Sequence, residues 1–334
     1  MSQPEQENRQ SDRHAGVIAA LIPSLRQLEQ EHLQRRQALI RQLAMILLSG
    51  ALFGLVLVLI FGWAWRGLFV MAVILALVAG LFWLQRAQES WSERVIAELL
   101  PSICNAWGEV CYVPEAPRQD FVDPFETLHA VGKHNRRCLS HHFSGRIGQR
   151  HFEMLHVDLS QSSGGSNSSR TPVFYGLLIC FQLTRPAPVP ILILPKASLT
   201  GRIKSMVLVE PELAAFAEKF TIQVPHDLPT APVQAQSFLD ASWQQALLAI
   251  NQTEGRGNDG LAAVRLGMIK DSGYLALSRW VPGAGIGSFR LESPQPFLQV
   301  PFLLRQSIRL EDSVRTMLDD VGVAFRIIGQ LPES

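Results

Sequence analysis

Surplus charge of either sign is missing from this chain. Lysine and arginine number 30 against 29 aspartates and glutamates, a formal net charge of +1. A chain so balanced has no global field to draw nucleic acid, which is not expected as a partner. Cysteine is scarce: Cys104, Cys111, Cys138 and Cys180. No two stand at CxxC spacing, which argues against a zinc knuckle or a redox motif. Their scatter suits reduced thiols better than a disulfide framework. There is no phosphate loop with its lysine, no HExxH and no GxSxG elbow, so the usual signatures of nucleotide, zinc-protease and serine-hydrolase chemistry are absent. GAGIG at 283–287 has the glycines of a nucleotide loop. A phosphate loop must open a helix, and the SFRLE that follows is strand-like. No cofactor is expected.

Charge is also nearly absent from one long stretch. Residues 43–84, LAMILLSGALFGLVLVLIFGWAWRGLFVMAVILALVAGLFWL, hold Arg66 and no other charged side chain. A bilayer core of about 30 Å needs about 20 apolar residues in a helix. Residues 43–61 and 67–84 supply two such runs. Gly62 and Gly67 permit a turn over 62–66, which lifts Arg66 out of the hydrocarbon. Trp63 and Trp65 suit the headgroup layer there, and Trp83 suits the opposite interface. Arg26, Arg35, Arg36 and Arg41 precede the first run, and Arg86 and Arg94 follow the second. The positive-inside rule then predicts two spans with both termini in the cytoplasm. A signal peptide is not expected, because a long polar segment precedes the apolar core.

Small residues recur along both runs at helical spacing. Gly50 and Gly54 form one step, and Ala72, Ala76 and Gly80 a longer stripe. Such faces let two backbones approach closely. They suit packing of the two spans on each other, self-association of the chain, or both. The bilayer is thus the first expected partner, and a second copy or another membrane or cytoplasmic protein the next.

Residues 1–42 read as a polar tail, taken as disordered over 1–13, then an amphipathic helix whose regular part begins near Pro23. Leu21, Leu25, Leu28 and His32 mark its apolar face at steps of four, three and four. That face fits the chain's own folded domain, a short coiled coil between copies, or the membrane surface. Residues 85–110 continue the second span as a helix, with Pro101 a candidate kink. Residues 111–330 alternate strands with short helices. Strands are expected over 146–159, 173–183, 191–194, 205–209 and 221–224, and helices over 211–220, 238–250 and 310–328. A hairpin of 261–270 with 273–281 is expected around Asp271-Ser272-Gly273. The fold class is α+β: an amphipathic helix, a transmembrane helical hairpin and a cytoplasmic, mainly antiparallel mixed domain.

Histidine crowds one region: His129, His134, His141, His142, His151 and His156, with Cys138 among them. Imidazole and thiolate are zinc ligands. Their spacing matches no ligand signature. On a strand, His141 and His142 would face opposite ways, and so would His151 and His156. No metal site is therefore assigned, and His141, His151 and Cys138 stand as the weak candidates. Lys133, Arg136 and Arg137 form a small basic patch that suits either solvent or anionic lipid.

The order of segments resembles a known family. It runs DPFETLHAVGKHNRRCLSHHFSGRIGQRHFEMLHVDL, VFYGLLICFQLTRP, ILILPK, a PEL helix, FTIQVPHD, QSFLDASWQQALLAI and GYLALSRW, after a membrane hairpin. This is similar to bacterial membrane proteins carrying domain of unknown function 3137, sometimes labelled galanin-like. The resemblance implies a bacterial inner-membrane protein of unassigned activity and transfers no catalytic residues. Two functions follow as expectations. The first is a non-enzymatic, membrane-anchored scaffold or interaction module. The alternative is a membrane-tethered enzyme or metal sensor built on residues 129–156.

Overall fold

The computed structural model describes residues 3–61, 66–115, 118–162, 170–196, 203, 205–254, 264–278, 280–282, 292–294, 297–298, 300–305 and 308–332. It is a mixed α+β protein with an antiparallel sheet and two long, apolar N-terminal helices. The chain divides into two compact units. One is Met1–Ala106 with Leu298–Leu318, and the other is Trp107–Phe297 with Asp319–Ser334.

In the first unit, helix α1 runs unbroken from Gln3 to Phe61 and α2 from Arg66 to Ala106. The helix therefore begins well before Pro23 and takes in most of the segment expected to be disordered. Pro23 and Pro101 both lie inside helices with their rings exposed. Each removes one helical hydrogen bond, and at an exposed position water can satisfy the orphaned carbonyl. The two helices pack on each other. A Cβ at Gly50 would collide with the Ala76 Cβ, and one at Gly54 would come within 2.8 Å of the Phe69 ring. Gly80 faces Leu43. The small-residue stripes are thus consumed within the chain, where they bring the helices together.

Away from the apolar runs the same pair continues as a polar-faced hairpin with a buried seam. Leu21, Leu25, Leu28, His32 and Leu39 of α1 are buried, as are Trp91, Val95, Leu99, Leu100 and Ile103 of α2. His32 packs on Trp91 with ring centroids 5.5 Å apart. Burial holds the His32 pKa below the ordinary imidazole value, with Arg36 adding to this and the Leu303 backbone and Glu29 opposing it. Leu303, Leu310, Val314, Met317 and Leu318 complete this core.

The second unit is built on a seven-stranded sheet in the order β1-β2-β3-β4-β6-β5, with β7 also paired to β4. Strand β1 is Val110–Glu115, β2 Arg136–Ile147, β3 Arg150–Ser162 and β4 Arg170–Pro195. β5 is Met206–Val209, β6 Phe220–Pro225 and β7 Val264–Ser278. Gly148, at φ +60°, opens the two-residue turn between β2 and β3, a conformation glycine adopts without strain. β4 joins the two expected strands across TRPAPVP, and its register to β7 shifts at Gln182, Ala187 and Ile191. Prolines there forbid ladder donors but favour extended backbone. The expected hairpin around Asp271-Ser272-Gly273 is instead continuous: both halves of β7 pair with β4. A second, two-stranded sheet joins β8 (Trp280–Pro282) to β9 (Glu292–Pro294).

Both faces of the large sheet are covered. On one face Leu155, Val157, Leu159, Phe174, Leu178 and Ala276 pack with Phe121, Val122 and Phe125. The last belongs to α3, Asp123–Thr127. On the other face, Phe152 meets Phe325 of α7 (Leu310–Gln330) edge to face. Short helices α4 (Ala214–Lys219) and α5 (Ala231–Phe238) flank β6, and α6 (Ala241–Glu254) follows. Asp240 caps α6 by accepting from the Ser242 and Trp243 amides at 3.0 and 3.1 Å. A hydrogen bond from the Ser242 hydroxyl, chiefly, holds the Asp240 carboxyl below its usual range. Arg326 of α7 grips the buried Glu254 of α6 through Nε at 2.5 Å and Nη2 at 3.1 Å. Arg150 reaches the end of α7, donating to the carbonyls of Ile328, Leu331 and Pro332. A guanidinium there satisfies carbonyls that the helix leaves open and complements its dipole.

Candidate functional site

Register aligns one transverse row of side chains on the sheet. Cys111 pairs with Ser144, Ser144 with Glu153, Glu153 with Cys180 and Cys180 with Tyr274. Direct cross-strand neighbours share a face. Cys111, Ser144, Glu153 and Cys180 line an open cleft of about 610 Å³, together with Glu109, Arg146, His151 and Asp271. The Glu153 carboxylate lies 3.4 Å from His142 Nε2 and 3.7 Å from an Arg118 guanidinium nitrogen. Burial, with the Glu153 charge adding, pushes the Cys180 thiol up to about 11, while Arg118 pulls the other way. The thiolate is the nucleophile in cysteine chemistry. At neutral pH Cys180 is a protonated thiol and a poor nucleophile. The row arranges polar groups for recognition better than for covalent attack.

The opposite face of the same hairpin carries the histidine cluster. His141 sits at φ +55° in a bulge, where the β2–β3 register shifts between Ser140 and His142. That bulge turns the His141 ring toward His156, with centroids 6.2 Å apart. Tyr112 stacks on His141, and its hydroxyl lies 3.0 Å from Nδ1. Phe297 stacks on His156 at 5.3 Å, and Tyr175 meets it edge-on. Ser140 Oγ lies 3.1 Å from His156 Nδ1. Burial among these rings lowers the His141 pKa to about 4, so its imidazole is neutral at pH 7.

The three candidate metal ligands do not meet. Cys138 is exposed opposite Asp158, His141 occupies the bulge, and His151 is exposed opposite Arg146. Five residues of strand separate the bulge from the Arg146 level, about 17 Å. Among the described residues no three His, Cys, Asp or Glu side chains are grouped to hold a metal ion. The basic patch is partly neutralised as well. Arg137 pairs with Asp123 at 2.6 Å and Glu126 at 3.2 Å, and donates to His134 Nε2.

Of the residues singled out on and beside the apolar runs, Gly50, Gly54, Ala72, Ala76 and Gly80 come together in the α1–α2 crossing. Trp83 is half-buried on α2. Trp63 and Trp65 lie outside the described residues, as does the side chain of Arg66, which opens α2. GAGIG also lies outside them. The transverse row escaped sequence reasoning because it depends on register. The locating signal was Gly148-Gln149 between two alternating runs. Comparison with protein-family models, curated protein sequences and solved structures gives no match.

The apolar runs differ in kind from both sites. Leu48, Leu52, Leu59 and Ile60 on α1 keep 72%, 60%, 75% and 67% of their surface, and Leu81 and Phe82 on α2 keep 65% and 67%. Each helix is long and apolar enough to cross a bilayer.

Proposed function

We propose that the chain is an integral membrane protein whose α1–α2 hairpin crosses the bilayer twice and tethers a cytoplasmic α+β domain. One observation carries this reading. Once the two helices have packed on each other, only 6% and 11% of their most apolar windows are buried. A soluble protein rarely leaves so large an apolar surface uncovered, whereas lipid is its natural solvent. Arginines crowd the flanks at both ends of the pair, which favours cytoplasmic termini. The resemblance to the domain of unknown function 3137 family supports a bacterial inner membrane.

The domain acts as a non-enzymatic interaction module in this reading. Its cleft offers charged and polar groups around a thiol that stays protonated at neutral pH. The glycine stripes are occupied within the hairpin, so self-association would use the outer helix faces or the domain. Membranes from expressing cells, washed with alkaline carbonate, test the anchor: the chain should remain in the pellet, and its recovery in the supernatant would refute it. Mild extraction followed by mass measurement tests the module: a stoichiometric partner or a homo-oligomer is expected, and a bare monomer counts against it.

A second reading, a tethered metal sensor, has one observation in its favour, the approach of His141 to His156. Elemental analysis of the purified full chain decides it. A stoichiometric transition metal lost in the His141→Ala, His156→Ala double variant supports the sensor, and a metal-free protein removes it.

A further inference from the structure

Residues 300–305 belong to the first unit and lie along the α1–α2 hairpin as a strap. Hairpin side chains hold its backbone. Leu303 N donates to Gln88 Oε1 at 2.6 Å, and Gln88 Nε2 donates to the Pro301 carbonyl at 3.5 Å. Arg36 Nε donates to the Leu304 carbonyl at 3.3 Å, and Leu310 N donates to Glu29 Oε1 at 3.2 Å. Leu303 is buried at 2% exposure, whereas its neighbour Phe302 keeps 50% of its surface. A phenyl ring left outward on a strap pinned so firmly calls for an apolar environment.

Helix rise gives the depth. Gln88 is four residues past Leu84, the end of the second apolar run, about 6 Å along the axis. Arg36 is seven residues before Leu43, about 10 Å. The interfacial layer on each side of the hydrocarbon is roughly 5–8 Å deep. The Pro301–Arg305 part of the strap therefore lies at or just beyond headgroup level if the hairpin spans, whereas Leu310, bonded to Glu29 fourteen residues before Leu43, stands about 21 Å out. Arginine predominates at this level, with Glu89 the acid at its edge. Between Glu31 and Glu89 every charged residue is arginine, and residues 300–305 add Arg305 with no acid. Arg41, Arg86 and Arg305 are exposed, and no ion pair holds any of them among the described residues.

We propose that the strap is a third membrane contact: Phe302 enters the headgroup–acyl boundary while Arg41, Arg86 and Arg305 bind the phosphates of anionic phospholipid in the same leaflet. It rests on the spanning reading of the hairpin. Guanidinium forks match phosphate oxygens, and each basic residue near an anionic surface shifts binding by about fivefold. The partner is a lipid surface rather than a protein, because the apolar ring and the cations, unpaired among the described residues, lie directly beyond the end of the apolar spans.

The test is backbone hydrogen exchange over residues 300–305 in the purified full-length protein. It is measured in detergent, in nanodiscs of phosphatidylcholine, and in nanodiscs containing phosphatidylglycerol. Exchange should slow at least about fivefold in the anionic discs relative to the neutral ones. The Arg86→Gln, Arg305→Gln variant should lose most of that slowing, and Phe302→Ser should raise exchange in both discs. Equal exchange in the two discs, with the chain retained by them, overturns the strap and leaves the spanning hairpin intact. Protection in detergent matching that in anionic discs assigns the face to protein contact and also overturns it. Failure to enter the discs at all overturns both readings. The wild-type comparison stands even if a variant misfolds.

Discussion

The hairpin and the sheet both carry long apolar runs, yet they treat those runs in opposite ways. On β4, Leu177, Leu178 and Ile179 are fully buried. On α1, Leu59 keeps 75% of its surface and Leu48 72%. The difference lies in what can cover each. A strand of the sheet presents two faces, and this chain supplies layers for both. A helix of the hairpin presents a full circumference, and its partner helix covers only the small-residue stripe. The remaining apolar surface needs a solvent other than water, which under the proposed function is lipid. The two regions also handle charge differently. The sheet unit buries Glu254, but only in the grip of Arg326, whereas the apolar runs of the hairpin carry no charged residue.

The sharpest way to break the comparison is to leave a buried charge alone. Arg326→Met strands Glu254 in the core and should cost about 3–5 kcal/mol. Thermal or denaturant unfolding of the full chain in detergent measures it, and a loss below about 1 kcal/mol would mean that Glu254 reaches water. Matched truncations come next. Leu178→Ala should destabilise the sheet unit by about 2–5 kcal/mol. Leu59→Ala should leave the same unfolding transition unmoved. Equal effects would dissolve the contrast between the regions.

Acidification sharpens the comparison, because His141 lies in the sheet unit. Its folded pKa, about 4, lies below the unfolded value of about 6.5. The unfolded chain therefore takes up the proton first as pH falls. The stability linked to the neutral ring is full above about pH 6.5 and is lost progressively down to about 4, by roughly 3 kcal/mol in all. A pH series of unfolding midpoints for wild type and His141→Gln measures this, and the variant should lose part of the slope. The smallest expected effect is at a helix cap: Asp240→Ala should cost about 1 kcal/mol in the same assay.

Much of the fold was legible. The two helices, strands within 146–159 and 173–183 and the final helix all follow from period and length. The seam at Leu21, Leu25, Leu28 and His32 was visible as a stripe, though its partner was not. The merged strands were not legible. TRPAPVP reads as a break because proline ends most elements, and Asp271-Ser272-Gly273 reads as a turn because such residues usually make one. Here each lies within a strand, and irregular register between β4 and β7 accommodates both. The site was harder still. Strict alternation separates His141 from His156, and only a bulge reunites them. His141 and His142 do face opposite ways, with His142 on the Glu153 side and His141 on the His156 side, but nothing in the sequence of an isolated strand announces the bulge that brings His141 and His156 together.

The central claim is that the apolar hairpin crosses a bilayer and returns. Fusion of a dual phosphatase and fluorescent-protein reporter after Ser334, in growing bacterial cells, tests it most directly. The account predicts fluorescence without phosphatase activity for the full chain, and phosphatase activity when the reporter follows residue 64 instead. Phosphatase activity at the C-terminus, or none at residue 64, would contradict it.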